Sequence, residues 1–243
     1  MTRRPPVVRA LYAVRAGWAW GTDYVYVGWR QARGLARRGA PSGMGSGSRI
    51  PVVLVPGIYE TWFFLEPLAR ALHRAGHPVV TVPALGLNAF DLATSAQLVA
   101  DRIAQVGAER VVLVAHSKGG LIGKHLLTRP DLAGAVVGMV AVNTPFRGSA
   151  YATHFPARSV RALSPRFPDM IDLARDVASH GRIVSVYGDF DPHIPGGSAL
   201  EGAVNVHLPV MGHFRTVARP EVIEAVTTQV ARLEATPPPP AEP

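Results

Sequence analysis

The sequence predicts an α/β fold with a mostly parallel sheet, because short apolar runs alternate with longer amphipathic stretches along most of the chain. The apolar runs are continuous and rich in valine, which is typical of strands that are covered on both faces. Repeated strand–helix units then imply right-handed crossovers between parallel strands. About six strands are predicted, at residues 50–55, 79–82, 110–115, 136–143, 182–187 and 203–208. Helices are predicted at residues 62–75, 95–106, 118–128, 169–180 and 219–234.

The size and composition favour one domain. The chain has 243 residues, of which 48% are hydrophobic, and this is enough to bury a single sizeable core. The absence of cysteine excludes disulfides and thiolate metal ligands. No apolar stretch approaches the roughly 18 uncharged residues that a membrane-spanning helix requires, so none is expected.

The net charge of +8 is concentrated near the N terminus. Residues 1–49 contain nine arginines and one acid, Asp23, whereas the rest of the chain has equal numbers of basic and acidic side chains. We predict that residues 1–48 form a basic, aromatic helical arm that ends in a Gly/Ser linker. Residues 49–235 are predicted to form the α/β domain, with a cap insertion at 145–168. Residues 236–243 are rich in proline, and we expect this tail to be disordered.

The arm has two open interpretations. It holds three of the four tryptophans and three of the six tyrosines, mixed with arginine. This composition is typical of a helix that lies on an anionic membrane surface, but it equally fits a helical extension packed against the domain. Nucleic acid is not an expected partner, because no nucleic-acid-binding fold accompanies the charge. We expect a cytoplasmic or peripherally membrane-associated protein, with secretion left open.

A sharp turn after the third predicted strand contains the strongest functional motif. Residues 115–120 read Ala-His-Ser-Lys-Gly-Gly, between a buried strand and a helical run. Small residues let the helix approach the strand closely, and a serine in such a turn has a strained backbone and an exposed hydroxyl. Ser117 is therefore the candidate nucleophile. The alternative is a buried serine that caps a helix.

A serine hydroxyl needs a base to accept its proton, and the base is usually a histidine oriented by a carboxylate. In a parallel sheet, such groups lie in the loops at the carboxyl ends of the strands. The loop after the fifth strand contains Asp189 and Asp191, and the loop after the last strand contains His213. His207 lies within the last predicted strand and is a poorer candidate. Taken singly, Asp191 also fits an Asp-Pro turn and His213 a structural histidine, so the order of the three residues carries the prediction.

With these motifs the chain resembles the α/β-hydrolase superfamily, and within it the small bacterial lipases and esterases and related lipase-like acylhydrolases. The resemblance covers roughly residues 50–235. Residues 144–149, Thr-Pro-x-x-Gly-Ser, are similar to a segment that follows the fourth strand of many lipases. An Asp-x-x-apolar-Pro pattern and a Gly-His pair before a helix match Asp191 and His213, and favour Asp191 over Asp189.

The resemblance implies a set of roles. Ser117 would be the nucleophile, Asp191 the orienting acid and His213 the base, with an oxyanion hole formed by the backbone N–H groups of Ile58 and Lys118. Neither a metal nor an organic cofactor is implied, and the remaining histidines have no metal-ligand spacing. Lys118 is unusual for a lipase, and a cation beside the nucleophile leaves room for an anionic head group.

The implied activity is hydrolysis of carboxylic esters with apolar acyl chains, as in a lipase or esterase, through an acyl-enzyme on Ser117. The expected substrate is a small-molecule acyl ester or a lipid. Two alternatives stay open. The same three residues serve acyl transfer or the cleavage of thioesters or amides. A catalytically inactive, membrane-associated binding protein is the other alternative.

Overall fold

The computed structural model describes residues 6–36 and 43–236 of the chain. Residues 1–5 and 37–42 of the predicted arm and its linker, and residues 237–243 of the predicted tail, lie outside the described part. The strands of the described residues are β1 (Val52–Val55), β2 (Val79–Val80), β3 (Val111–His116), β4 (Val136–Val142), β5 (Ile183–Phe190) and β6 (Val204–Met211). The α-helices are α1 (Pro6–Ala36), α2 (Glu66–Arg74), α3 (Leu92–Val106), α4 (Lys118–Leu127), α5 (Arg158–Arg161), α6 (Pro168–Arg175) and α7 (Pro220–Glu234).

The six described strands form one sheet in the order β2-β1-β3-β4-β5-β6, and every neighbouring pair is parallel. This confirms the predicted α/β fold with a six-stranded parallel sheet. All residues of β1 and β3 are buried, which explains why their sequences are continuously apolar rather than alternating. Because the strands are parallel, their carboxyl ends share one edge of the sheet, and the loops that follow them meet there.

Each face of the sheet has its own apolar core. Val53 and Val55 of β1 pack with side chains of α3 and α4 on one face. Val52 and Leu54 point to the other face, where they pack with side chains of α2 and α7. Successive strand residues therefore point to opposite cores, as the period-2 geometry of a strand requires. Burying both faces fixes the sheet rigidly beneath the loops at its edge.

Two predicted helices are interrupted. The predicted helix at 62–75 consists of a 3₁₀ turn (Trp62–Leu65) followed by α2. Pro67 lies in the first turn of α2, where its missing N–H is tolerated and a new helix can begin. The predicted helix at 169–180 ends with α6 at Arg175, and a separate 3₁₀ turn follows at Ala178–Arg182.

The segment between β4 and α6 contains the residues for which a cap insertion is predicted, 145–168. It contains a 3₁₀ turn (Ala150–His154) and the single-turn helix α5. Ser149 joins the cap to the loop after β5, because its hydroxyl donates a hydrogen bond to the carbonyl oxygen of His193 at 2.7 Å. The cap thus lies over the carboxyl ends of the strands.

Helix α1 packs on the domain with one face and exposes the other. Its inner face is formed by Ala19, Asp23, Arg30 and Gly34, which are all buried. Arg30 donates to Glu66 of α2 at 2.7 Å. The opposite face is apolar and exposed, and its members are Val14, Trp18, Val25 and Trp29. The arm therefore packs on the domain with one face, while Trp18 on the other face is 74% exposed and Trp29 is 47% exposed. No helix among the described residues is long and apolar enough to cross a membrane.

Candidate active site

Ser117 occupies a strained turn between β3 and α4. Its backbone has φ 51° and ψ −122°, values that a residue with a Cβ adopts only where surrounding packing enforces them. The packing is visible at the two following glycines. A Cβ on Gly119 would lie 2.0 Å from the carbonyl oxygen of Val55, and one on Gly120 would lie 2.0 Å from the hydroxyl of Thr144. Only glycine allows α4 to approach this closely, and the close approach holds Ser117 in its turn.

The structure brings together the three side chains that the sequence singled out. The Nε2 atom of His213 is 3.0 Å from the Oγ atom of Ser117. The Nδ1 atom of His213 is 2.7 Å from the Oδ2 atom of Asp191. With the carboxylate accepting from Nδ1–H, Nε2 is left to accept the serine proton. This is the geometry of a nucleophile, a base and an orienting acid.

Asp191 is fixed by the turn in which it lies. Its Oδ1 atom accepts backbone N–H groups from His193 at 2.8 Å and Ile194 at 3.1 Å. Asp191 therefore does both things considered above: its Oδ1 atom stabilises the turn, and its Oδ2 atom contacts His213. Asp189 points elsewhere: its Oδ1 atom is 3.0 Å from the Nε2 atom of His207, in a pair that is roughly half exposed. The structure thus brings Asp191, and not Asp189, to His213.

The two residues expected to form the oxyanion hole lie near Ser117: Ile58 lines the same cavity, and Lys118 follows Ser117 directly. Ile58 follows β1 and lines the cavity beside the serine hydroxyl. Lys118 is the first residue of α4, where backbone N–H groups have no acceptor within the helix. The loop of Ile58 is held by Glu60, whose Oε2 atom accepts the N–H of Gly57 at 2.7 Å.

The side chain of Lys118 contradicts the expectation of a cation beside the nucleophile. Its ammonium group is buried and donates to the backbone and side-chain oxygens of Asn88, at 2.8 and 3.3 Å, and to the carbonyl oxygen of Phe90. Burial lowers the pKa of Lys118 to about 8, although Asp91 opposes the shift. The side chain of Lys118 extends towards Asn88 and Phe90, so its charge is not directed at Ser117. The sequence pattern does not show the direction of a side chain. An anionic head group therefore finds no partner in Lys118.

His116 contacts the site in a way that the sequence analysis did not predict. Its buried ring bridges two loops: Nδ1 is 2.9 Å from Glu60, and Nε2 is 3.0 Å from the carbonyl oxygen of His213. Burial is the largest influence and disfavours the charged ring, but Glu60, the carbonyl oxygen of His213 and Asp191 together outweigh it and raise the pKa of His116. The loop that carries Ile58 and the loop that carries His213 are thereby linked through one imidazole.

His193 also lies against the base. Its ring centroid is 4.9 Å from that of His213, and its Nε2 atom is 3.1 Å from the hydroxyl of Tyr24. Burial, with a further contribution from His213, lowers the pKa of His193 to about 4, so the ring is neutral at pH 7. One atom each of Asp191, His193 and His213 lie within 4.8 Å of one another, a metal-like grouping that the spacing did not predict. Two of these residues, Asp191 and His213, are already hydrogen-bonded to each other.

The serine opens onto a cavity of about 330 Å³, which is within the range for small-molecule sites. The cavity lies between α1, the cap and the strand-end loops. Its lining is mainly apolar, and α1 supplies one wall through Tyr24, Val27 and Gln31. The apolar side chains from the rest of the molecule are Ile58, Phe64, Pro145, Ala152, Phe155, Val160, Leu163, Ile194 and Phe214.

Comparison with known proteins agrees with the fold. A family model described as the alpha/beta hydrolase family matches residues 52–240. No curated protein matches the chain. Among solved structures, the mature lipase BlEst2 of Bacillus licheniformis is similar, with a TM-score of 0.61 and 17% identity over 79% of this chain and 96% of that one.

Two further structures extend the comparison. A carboxylesterase structure from the thaumarchaeon Nitrososphaera gargenis has a TM-score of 0.57 and 14% identity, over 80% of this chain and 97% of that one. A thioesterase domain from the curacin biosynthetic pathway has a TM-score of 0.56 and 14% identity, over 77% of this chain and 92% of that one. At these identities the likeness is one of fold.

Proposed function

The chain belongs to the alpha/beta hydrolase family, and from this premise we propose that it hydrolyses carboxylic esters with apolar acyl chains. One observation carries the proposal: His213 is hydrogen-bonded to Ser117 through one ring nitrogen and to Asp191 through the other, beside a mainly apolar cavity. The cavity accommodates the acyl chain, and the hydroxyl of Ser117 meets its carbonyl carbon. A lipase or esterase is the class of enzyme that this arrangement fits.

The reaction proceeds through an acyl-enzyme. His213 accepts the Ser117 proton on Nε2 as Oγ attacks the carbonyl carbon, and the N–H groups of Ile58 and Lys118 stabilise the tetrahedral oxyanion. His213 then protonates the departing alcohol. In the second half, His213 deprotonates a water that attacks the acyl carbon, and the acid leaves as Ser117 regains its proton. Asp191 holds the tautomer of His213 and stabilises each imidazolium.

The surroundings of Ser117 favour a neutral acyl ester. The cavity wall is apolar, and the nearest lysine, Lys118, has its ammonium group occupied by Asn88 and Phe90. Acyl transfer and thioester or amide cleavage use the same steps with a different leaving group or acceptor. A panel of matched p-nitrophenyl esters, thioesters and anilides separates them, and we expect the esters to react fastest. Added alcohols that divert the acyl group from water would indicate a transferase.

A fluorophosphonate probe tests the central step. We expect the wild-type protein to be labelled and Ser117→Ala not to be, with ester hydrolysis reduced about 10⁴-fold or more. Ser48→Ala is the matched control, because Ser48 is exposed and precedes the amino end of β1, at the edge of the sheet opposite Ser117, and it should label normally. If the wild-type protein neither labels nor hydrolyses any ester, the hydrolase proposal fails and the inactive binding protein is favoured.

The outer face of α1 supports a membrane surface as a partner. Trp18 and Val25 are each 74% exposed and lie two turns apart on the same face. Exposed arginines, Arg15 and Arg33, lie to one side of that face. Indole rings favour the head-group layer of a bilayer, and each arginine adds attraction to anionic lipid of about 1 kcal/mol near the surface. The substrate cavity borders the same helix, so a docked enzyme would hold its site near lipid.

Deleting the whole arm would also remove buried contacts, so point variants give the cleaner test. We expect the double variant Trp18→Ser/Val25→Ser to bind vesicles of mixed phosphatidylglycerol and phosphatidylcholine about 10-fold more weakly than the wild-type protein. Val177→Ser removes an equally exposed apolar side chain outside α1 and should bind normally. Unchanged binding of the double variant, measured by co-sedimentation, would refute the membrane role of α1.

A further inference from the structure

Asp23 of α1 reaches into the loop that carries the proposed base. Its side chain is fully buried, and it is the only acid in the first 49 residues. Its Oδ2 atom accepts the backbone N–H groups of His213 and, at 3.2 Å, of Phe214. Its Oδ1 atom accepts the N–H of Arg215 at 2.8 Å. Three consecutive amides thus point at one carboxylate from an element 190 residues away in sequence.

These three amides open the 3₁₀ turn Arg215–Ala218, whose own N-cap residue makes no side-chain capping bond. Asp23 therefore takes the place of a capping residue, although it comes from another helix. Gly212, just before the base, makes room for it. A Cβ on Gly212 would lie 2.9 Å from the Oδ1 atom of Asp23, and the residue has a φ of +117° that favours glycine.

The backbone carbonyl group of His213 is also held by hydrogen bonds. The carbonyl oxygen of His213 accepts hydrogen bonds from His116 at 3.0 Å, Asn143 at 3.0 Å and Thr216 at 2.8 Å. Those three residues belong to the part of the chain that matches the family, residues 52–240, whereas Asp23 does not. The backbone N–H groups of His213 and the two residues after it are therefore held by Asp23, which lies outside the matched family region.

We propose that Asp23 is a positioning residue for His213, and that α1 is part of the catalytic machinery rather than only an attachment. The proposal rests on the proposed function of Ser117 and His213. By anchoring the backbone at 213–215, Asp23 sets the distance between the Nε2 atom of His213 and the hydroxyl of Ser117. A misplacement of about 1 Å at a reacting group costs about 100-fold in rate, so the anchor acts on turnover more than on substrate binding.

A separate contact allows this role to be distinguished from docking of the helix. Arg30, two turns further along the same face of α1, donates to Glu66 at 2.7 Å and to the carbonyl oxygen of Phe63 at 3.3 Å. Weakening this ion pair loosens α1 without touching the loop of His213. Glu66→Gln is therefore the matched control for Asp23→Asn, because both change one buried acid to its amide and both weaken an attachment of α1.

The experiment compares wild type, Asp23→Asn, Asp23→Ala and Glu66→Gln in the full chain. Three quantities are measured: kcat and KM on a p-nitrophenyl ester, the second-order rate of inactivation by a fluorophosphonate, and the thermal unfolding midpoint. We expect both rates to fall about 10-fold in Asp23→Asn, which keeps one oxygen acceptor, and about 100-fold in Asp23→Ala. KM should stay within about twofold of the wild-type value. Glu66→Gln should lower the unfolding midpoint but leave both rates within about twofold.

Two results would overturn the positioning role while leaving the proposed function intact. One is an Asp23→Ala variant whose rates match those of the wild-type protein. The other is a Glu66→Gln variant that loses as much rate as Asp23→Asn, which would show that docking alone matters. A wild-type protein that fails to react with ester or probe would overturn the proposed function itself, and the role of Asp23 with it.

Discussion

The turn of Ser117 and the loop of His213 are positioned in different ways. Ser117 is held by its immediate neighbours in sequence, the strand β3 before it and Gly119 and Gly120 after it, which pack directly on the adjoining strand ends. His213 lies in a loop whose contacts come from far along the chain: Asp191 at 22 residues, His116 at 97 and Asp23 at 190. The nucleophile is thus a product of local backbone geometry, and the base is a product of tertiary structure.

The largest expected effect is on kcat, and it distinguishes Asp191 from Asp189 as the acid that orients His213. Asp191→Asn should lower kcat about 10⁴-fold, because an amide no longer stabilises the imidazolium and favours the wrong tautomer of His213. Asp189→Asn is the matched control, since Asp189 pairs with His207, and it should stay within about twofold of the wild-type rate. Steady-state hydrolysis of a p-nitrophenyl ester measures both. If Asp189→Asn shows the larger loss, Asp191 is not the orienting acid.

A substitution at the turn of Ser117 should act on stability as well as on rate. The added methyl group of Gly119→Ala would meet the backbone carbonyls of Val55 and Pro56, at 2.0 and 2.8 Å, and backbone cannot move aside cheaply. We expect the free energy of unfolding to fall by about 3 kcal/mol, measured by chemical denaturation. Gly134→Ala, where an added Cβ meets nothing within 4 Å, serves as the control and should be near neutral. Equal stability of the two variants would show that the turn is not held by close packing.

The same contrast explains which features the sequence could predict. The strands, the parallel sheet and the turn of Ser117 follow from local patterns, and the structure agrees with them. The contacts of Asp23 and His116 were missed, because their partners lie far along the chain. His116 stands beside Ser117 in the quoted motif, but that position does not reveal which loops its ring connects. Lys118 was misjudged for a related reason: its position in the chain is local, but the direction of its ammonium group is decided by acceptors on Asn88 and Phe90.

The smallest expected effect concerns His193, the second imidazole on the base side of the site. In the folded protein, burial and the neighbouring His213 lower the pKa of His193 to about 4, whereas in the unfolded chain it is about 6.5. The contribution of His193 to the free energy of unfolding is therefore complete above pH 6.5. It is lost as the pH falls towards 4, because in that range only the unfolded chain takes up the proton. For this residue alone, unfolding at pH 5.5 should cost about 1.4 kcal/mol less than at pH 7.5.

His193→Gln should remove that part of the pH dependence, and His207→Gln, which replaces a surface histidine, should retain it. Denaturation curves at the two pH values measure the difference. Identical pH dependence in the wild-type protein and His193→Gln would mean that His193 is protonated to the same extent in the folded and unfolded states. In that case His193 would be charged in the folded protein at pH 5.5. Its positive ring would then lie beside the proposed base His213, with 4.9 Å between the two ring centroids. A neutral His193 avoids this repulsion, so no second positive charge lies beside the imidazolium that the proposed mechanism forms on His213.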